Sequence, residues 1–365
     1  MSKNPFKFGS IVDGQYFTDR DKEIASVKSL LDSENHLIIM SPRRYGKSSL
    51  VNKVINETKR PAILLDLQLI TDTRDMAAQL LKRIYRHYPF ERLRHYIRNF
   101  RVIPGVSINP VTNAVDITFH PESNANPLME DVLNLLEQLS TQKKKLIVVF
   151  DEFQEVVNFD SKILSHLRSV MQHHKNLNYI FLGSQESMIH EIFEKKKSPF
   201  YHFGLVLRLK KIPEKDFRQY LSDGFSALTA GKTEITDHII EISRCHPYYT
   251  QQLAYMAWEE LQKSNDVANC VNNALSVLVE THDMDYERLW NNLNKTDQKL
   301  LIGLAHGPQS PTSEAFIRKF NLVATSTAFS SLKRLMNQGY IIKTDKEAEI
   351  DDPFFRFWIN QRREA

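Results

Sequence analysis

Cysteine is nearly absent from this 365-residue chain, with Cys245 and Cys270 the only two. Two thiols cannot build a disulfide framework or a four-cysteine zinc site, so a reducing cytosol is the expected compartment. No stretch of about 18 apolar residues occurs, and the opening MSKNPFKFGSIVDGQYF lacks the apolar core of a signal peptide, so neither membrane insertion nor export is expected. Only 11 glycines and 14 prolines are present, which excludes collagen-like structure and long disorder. The net charge is only +4; it does not by itself call for nucleic acid, although a pI of about 8.8 leaves that open. What remains is an ordinary globular composition, 42% hydrophobic and 25% charged, on a chain longer than one core usually spans. Two or three domains are expected, with no internal repeat and no low-complexity tract.

Over the first two hundred residues, strand-like and helix-like segments alternate, which predicts an α/β unit with a mostly parallel sheet. HLIIM (36–40), PAILLDL (61–67), KLIVVFDEF (145–153) and NYIFLGS (178–184) read as buried strands, and GLVLRLKKI (204–212) would close the sheet. Helical spacing over 74–100 predicts two helices broken near Pro89, and a further helix is expected over 161–174. Residues 102–119 switch to period two around turn residues and predict an inserted β-hairpin. From Pro213 the strands stop. Residues 213–290 read as helical throughout, and three short helices followed by a hairpin over 291–365 carry the order of a winged helix.

Chemistry begins at SPRRYGKSS (41–49), placed after a strand and before a helix. In a G-x-x-x-x-G-K-[ST] loop, backbone N–H groups and the helix N-terminus cradle phosphates, the lysine reaches the β and γ phosphates, and the hydroxyl ligates Mg²⁺. Gly46, Lys47 and Ser48 fill the last three places, while Ser41 stands where the first glycine belongs. The residues expected to hold nucleotide are Ser41, Pro42, Arg43, Arg44, Tyr45, Gly46, Lys47, Ser48 and Ser49. Four apolar residues then run into Asp151 and Glu152, a pair suited to orient Mg²⁺ through the aspartate and to polarise water through the glutamate. Ser48 and Asp151 are the expected metal ligands. Ser184, at the end of the next strand, is a polar side chain where P-loop ATPases of this kind place a sensor of the γ-phosphate.

These segments, with FTDRDKEI, SPFY (198–201), CHPYYTQQL (245–253) and the closing DPFFRFW, resemble the archaeal-type AAA ATPases, relatives of AAA+ and of the STAND signalling NTPases. The resemblance covers nearly the whole chain. It implies an AAA+-like P-loop core over 1–212, a helical lid over 213–290 and a C-terminal winged helix over 291–365, with ATP and Mg²⁺ as ligands. It also implies that Pro247 packs on the adenine, although Cys245 stands where a glycine is often found. Arg244 could reach the phosphates, and Arg168, four residues from Gln172 on one helix face, could serve a neighbouring subunit.

The basic and aromatic interleaving of residues 82–101 could contact nucleic acid, but its apolar positions fall at core spacing. His173 and His174 lack partners at metal-ligand spacing. The reading is a Mg²⁺-dependent ATPase, with Lys47, Asp151, Glu152 and Ser184 as the catalytic set, whose nucleotide state moves a lid and a winged helix. The alternative is a slow nucleotide-bound switch or a regulator that binds DNA or protein with little turnover. Protein docking through the winged helix is expected and DNA binding only weakly, because the segment 343–352 sets Lys343 and Lys346 against five acids. Oligomeric state is left open.

Overall fold

A computed structural model describes residues 3–108, 115–119, 125–229, 231–307, 309–343 and 347–363. The chain divides into two compact units. One takes residues 21–41 and 50–209, and the other takes the residues up to Arg20, residues 42–49 and everything from Lys210 onward.

The first unit is built on five parallel strands: β1 (Leu37–Met40), β2 (Ala62–Asp66), β5 (Leu146–Asp151), β6 (Leu177–Gly183) and β7 (Leu205–Arg208). Their spatial order is β2-β5-β6-β1-β7. Every residue of β1 and β6 is buried, as the continuous apolar runs require of strands covered on both faces. The covering helices are α1 (Asp21–Leu31), α2 (Lys47–Thr58), α3 (Thr73–His87), α4 (Phe90–Ile97), α5 (Ala125–Leu139), α6 (Ile163–Met171) and α7 (Glu186–Phe193). Asp72 caps α3 by accepting from the Asp75 amide, and α3 buries Met76, Ala77, Leu80, Leu81 and Ile84, so a period of 3.6 puts one apolar stripe inward. The predicted hairpin is present as β3 (Gly105–Ile108) against β4 (Val115–Thr118), antiparallel, with Gly105 opposite Thr118; its turn, residues 109–114, lies outside the described residues.

The register fixes what stands at the carboxyl edge of the sheet. Met40 pairs with Gly183, and Phe150 pairs with Phe181. Ser41, Ser184 and the Asp151–Glu152 pair therefore leave the sheet along one edge, where open α/β sheets bind ligands.

The second unit is helical: α8 (Glu214–Phe225), α9 (Lys232–Ser243), α10 (Pro247–Ser264), α11 (Cys270–Thr281), α12 (Asp283–Asn291), α13 (Lys295–Ala305), α14 (Glu314–Lys319) and α15 (Thr325–Asn337). A two-stranded hairpin, β8 (Ile341–Lys343) with β9 (Ala348–Ile350), follows and completes the winged helix. A closing helix, α16 (Pro353–Arg362), was not anticipated as an element. Asp352 caps it by accepting from the Phe354 and Phe355 amides, and Pro353 takes the first helical position, where no amide hydrogen is needed. Phe354, Phe355, Trp358 and Ile359 are all buried in this unit's core.

The segment 343–352, expected to set five acids against a phosphate backbone, is different in the structure. Residues 344–346, with Asp345 and Lys346, lie outside the described residues. Glu349 is buried at 4% exposure and bonded to Lys211 at 2.7 Å and Arg244 at 3.2 Å, and Asp351 and Asp352 also turn inward. Three of the five wing acids are internal, Glu349 paired with cations and Asp351 and Asp352 hydrogen-bonded to tyrosine hydroxyls of the same unit.

Candidate functional site

The loop 42–49 belongs to the second unit. Gly46 has φ +87°, and a Cβ there would meet nothing within 4 Å, so the backbone turn and not space demands glycine. Arg44 also adopts the left-handed region, at φ +65°. The Lys47 side chain is 94% buried and its ammonium donates to the Pro42 carbonyl at 3.0 Å, closing a ring within the loop. The Ser49 hydroxyl accepts from the Val12 amide at 3.1 Å. Arg20, itself buried, donates to the Tyr45 carbonyl at 3.3 Å and to the Lys210 carbonyl at 2.7 Å.

Two loop side chains reach the start of α10 and the acids before α16. Arg44 donates to the Tyr249 hydroxyl at 3.0 Å, and its guanidinium lies 4.6 Å from the centre of the Tyr248 ring. Burial acts to lower the Arg44 pKa, but Tyr249, Tyr248 and Asp352 outweigh it and hold it above its ordinary value. Tyr45 packs edge-on against His246 at 4.8 Å and donates to Asp351 Oδ1 at 3.5 Å. Tyr249 and Tyr286 are both hydrogen-bonded to Asp352. Burial raises the pKa of Asp352, against the bonds it accepts, and pushes Asp351 up to about 7. Burial likewise drives His246 well below the ordinary histidine range, so the imidazole is neutral.

Pro247 opens α10, with His246 as the cap whose Nδ1 accepts from the Tyr248 amide at 3.2 Å. Arg244 and Cys245 both have positive φ, at 50° and 58°, so Cys245 does occupy a backbone conformation that favours glycine. Arg244, expected as a phosphate sensor, bonds Glu349.

The acid half lies in the first unit. Asp151 ends β5, and its Oδ1 accepts from the Glu152 amide at 2.9 Å. Glu152 sits at φ 50° and turns the chain into a 3₁₀ segment, Phe153–Asn158. Its Oε2 accepts from the Ser184 hydroxyl at 2.7 Å, from the Ser184 amide at 3.3 Å and from Gln154 Nε2 at 2.5 Å. The structure thus brings Glu152, Ser184 and Gln154 together. Gln154 lies within the segment LIVVFDEFQE (146–155) that carries the family resemblance, but its bond to Glu152 comes from the tight turn that folds back beyond Glu152.

Arg168 stacks 4.2 Å from the centre of the Phe203 ring of its own unit, and His174 bonds Tyr179 at 2.7 Å and Asn134 at 3.2 Å. Among the described residues no group of three His, Cys, Asp or Glu side chains could hold a metal ion, and no helix is long and apolar enough to cross a membrane. Ser48 and Asp151 offer a hydroxyl and a carboxylate, the hard oxygen donors that Mg²⁺ takes.

In comparisons with known proteins, residues 17–253 match the family model described as "ATPase domain predominantly from Archaea", and residues 284–361 match the one described as "Probable winged helix domain". No curated protein matches the chain. Among solved structures, the Walker-type ATPase PABY2304 of Pyrococcus abyssi is similar with a TM-score of 0.67 and 18% identity, over 95% of this chain and 97% of that one. The Aeropyrum pernix ORC2 protein, solved in ADPNP–ADP complexes, is similar at TM-score 0.59 and 12% identity, over 98% of each chain. The Aeropyrum pernix ORC1 protein in complex with DNA follows at TM-score 0.50 and 10% identity, over 95% and 93%. At these identities the structural likeness establishes the fold.

Proposed function

This chain belongs to the family of ATPase domains described as predominantly from Archaea, and from that membership we propose that it binds ATP with Mg²⁺ and hydrolyses it to ADP and phosphate. The observation that carries the reading is the carboxyl edge of the sheet. One edge gives off the strand-loop-helix run containing Lys47 and, two strands away, the Asp151–Glu152 pair with Ser184 between them. Adjacent strands stand roughly 5 Å apart, so the strands that carry the two motifs are about 10 Å apart, a span that suits a triphosphate.

In this reading the loop amides, Gly46 and the start of α2 cradle the phosphates, and Lys47 leaves the Pro42 carbonyl to meet their charge. Ser48 and Asp151 would hold Mg²⁺, which supplies charge neutralisation between phosphate oxygens when bound. Glu152 takes the proton of the attacking water. Positioning and charge stabilisation supply most of the rate in such chemistry. Pro247 and Tyr248 border the base, after the family resemblance.

The output we propose is conformational. Arg44 and Tyr45 are loop residues, and their partners are Tyr249 at the head of α10 and Asp351 just before α16. A loop that rearranges around phosphates must break or re-form those bonds, so occupancy is felt by the lid helices and the winged helix. The same contacts favour the second reading, a slow switch, if the bonds hold nucleotide in place.

The experiment is filter binding of labelled ATP to Lys47→Ala. Losing a charge-assisted contact costs about 1.5–3 kcal/mol, so roughly 10- to 100-fold weaker binding is expected. Equal binding by the parent and the variant would refute the loop assignment.

A further inference from the structure

Gln154 is fully buried, yet one end of its amide is unmet: among the described residues Oε1 has no hydrogen-bond partner, while Nε2 donates to Glu152 Oε2 at 2.5 Å. The opposite amide orientation would set a carbonyl against that carboxylate, so the arrangement is the one the electrostatics allow. An unpaired buried carbonyl costs stability, and a buried apolar side chain of the same size would remove that cost. The retained amide therefore needs a reason at its other end.

That reason is visible in how the donors are distributed. Gln154 Nε2, the Ser184 hydroxyl and the Ser184 amide all converge on Oε2 of Glu152, and among the described residues Oε1 of Glu152 accepts nothing. Three donors on one oxygen stop the carboxylate from rotating and leave the other oxygen as the one that can take a proton from water. Gly183 makes room for this arrangement, since a Cβ there would come within 2.8 Å of Gln154 Oε1.

We infer that Gln154 is a positioning residue that fixes the Glu152 carboxylate with a single oxygen facing the attacking water. The inference rests on the ATPase reading above. It holds that Gln154 acts on the chemical step and not on nucleotide affinity, because its contacts are with Glu152 and Glu155 and not with the phosphate loop.

The test uses the full chain and Gln154→Met, which keeps the shape, removes the donor and removes the unmet carbonyl. Phosphate release, the KM for ATP and the melting temperature are measured together. We expect kcat to fall at least tenfold, KM to stay within twofold, and the melting temperature to hold or rise. Unchanged kcat would overturn the inference. So would a fall in kcat accompanied by a lower melting temperature and a raised KM, which is the pattern of a structural role. Should Gln154→Met fail to fold, Gln154→Asn keeps a buried amide but draws its donor back, and the same loss of kcat at constant KM is expected. If the parent itself neither binds ATP nor releases phosphate, the ATPase reading fails and takes this inference with it. A parent that turns over no faster than Gln154→Met overturns this inference alone.

Discussion

Glu152 stands at φ 50°, a left-handed conformation that costs a non-glycine residue about 1–2 kcal/mol. Such strain is held where the surrounding bonds over-determine it, and three donors on one carboxylate oxygen do so here. Gly183 packs closely against this turn. A Cβ added there would lie 2.2 Å from Ile189 Cγ1 and 2.8 Å from Gln154 Oε1. Gly183→Ala should lower stability by about 1–3 kcal/mol through overpacking. It should also reduce phosphate release, because the displaced amide no longer reaches Glu152. Urea unfolding and a phosphate assay check the two effects, and a variant as stable and active as the parent would show that the turn has slack. Lys47, Asp151 and Glu152 were legible as residues because their spacing is imposed by chemistry. The bond of Gln154 to Glu152 was not, since it arises from a turn that brings position 154 back to position 152.

Among elements, the buried acids ahead of α16 have the clearest physical consequence. Burial raises Asp351 to about 7 from its ordinary 3.8; Lys211 opposes the rise, and Asp352 and Glu349 add to it. A raised carboxyl keeps its proton in the fold while the unfolded chain has already lost it. Stability contributed by this group is therefore full below pH about 4, falls as pH climbs toward about 7, and is level above that. His246 works in the opposite sense, because a buried neutral imidazole gains relative stability as pH rises through the ordinary histidine range. The difference between parent and Asp351→Asn separates the two. Each tenfold loss of carboxyl acidity on folding is worth about 1.4 kcal/mol, so at pH 8 the variant should be more stable by on the order of 1–4 kcal/mol. Near pH 4 the gap should close. A difference that does not vary with pH would mean that Asp351 is ionised throughout.

The motifs CHPYY and DPFFRFW were legible as sequence, but their meeting was not. Tyr249 and Asp352 lie more than a hundred residues apart and are joined by hydrogen bonding that no local pattern announces. For the same reason the wing acids were misread. Local charge counting set Glu349, Asp351 and Asp352 against a phosphate backbone, whereas Lys211, Arg244 and Tyr45, remote in sequence, draw them inward.

At the scale of the whole molecule, the parallel sheet, the helical run after Pro213 and the winged helix could be read from the order of periodicities, because buried strands and amphipathic helices differ in apolar period. The strand order β2-β5-β6-β1-β7 could not, since periodicity carries no pairing information. The winged helix also bears on partners. Of the two cations on α15, Arg334 is tied to the buried Asp297 at 2.6 Å, leaving Lys333, while Phe329 on the same helix is 60% exposed. A helix with one cation unpaired among the described residues makes few phosphate contacts, so the full chain should bind duplex DNA no tighter than about 1 µM at physiological salt, with a shallow salt slope. Fluorescence anisotropy at two salt concentrations measures this, and sub-micromolar, sequence-selective binding would favour a DNA regulator over a protein-docking domain.

The central claim, that this chain hydrolyses ATP at the Asp151–Glu152 edge, is tested most directly by phosphate release with saturating ATP and Mg²⁺, comparing the parent with Glu152→Gln. Glutamine keeps the size and polarity of the side chain but cannot take a proton from water, and removal of a general base typically costs about 10²–10⁴-fold. The account requires measurable release by the parent, a loss of that order in Glu152→Gln, and undiminished ATP binding by the variant. Equal phosphate release by the two proteins would contradict it.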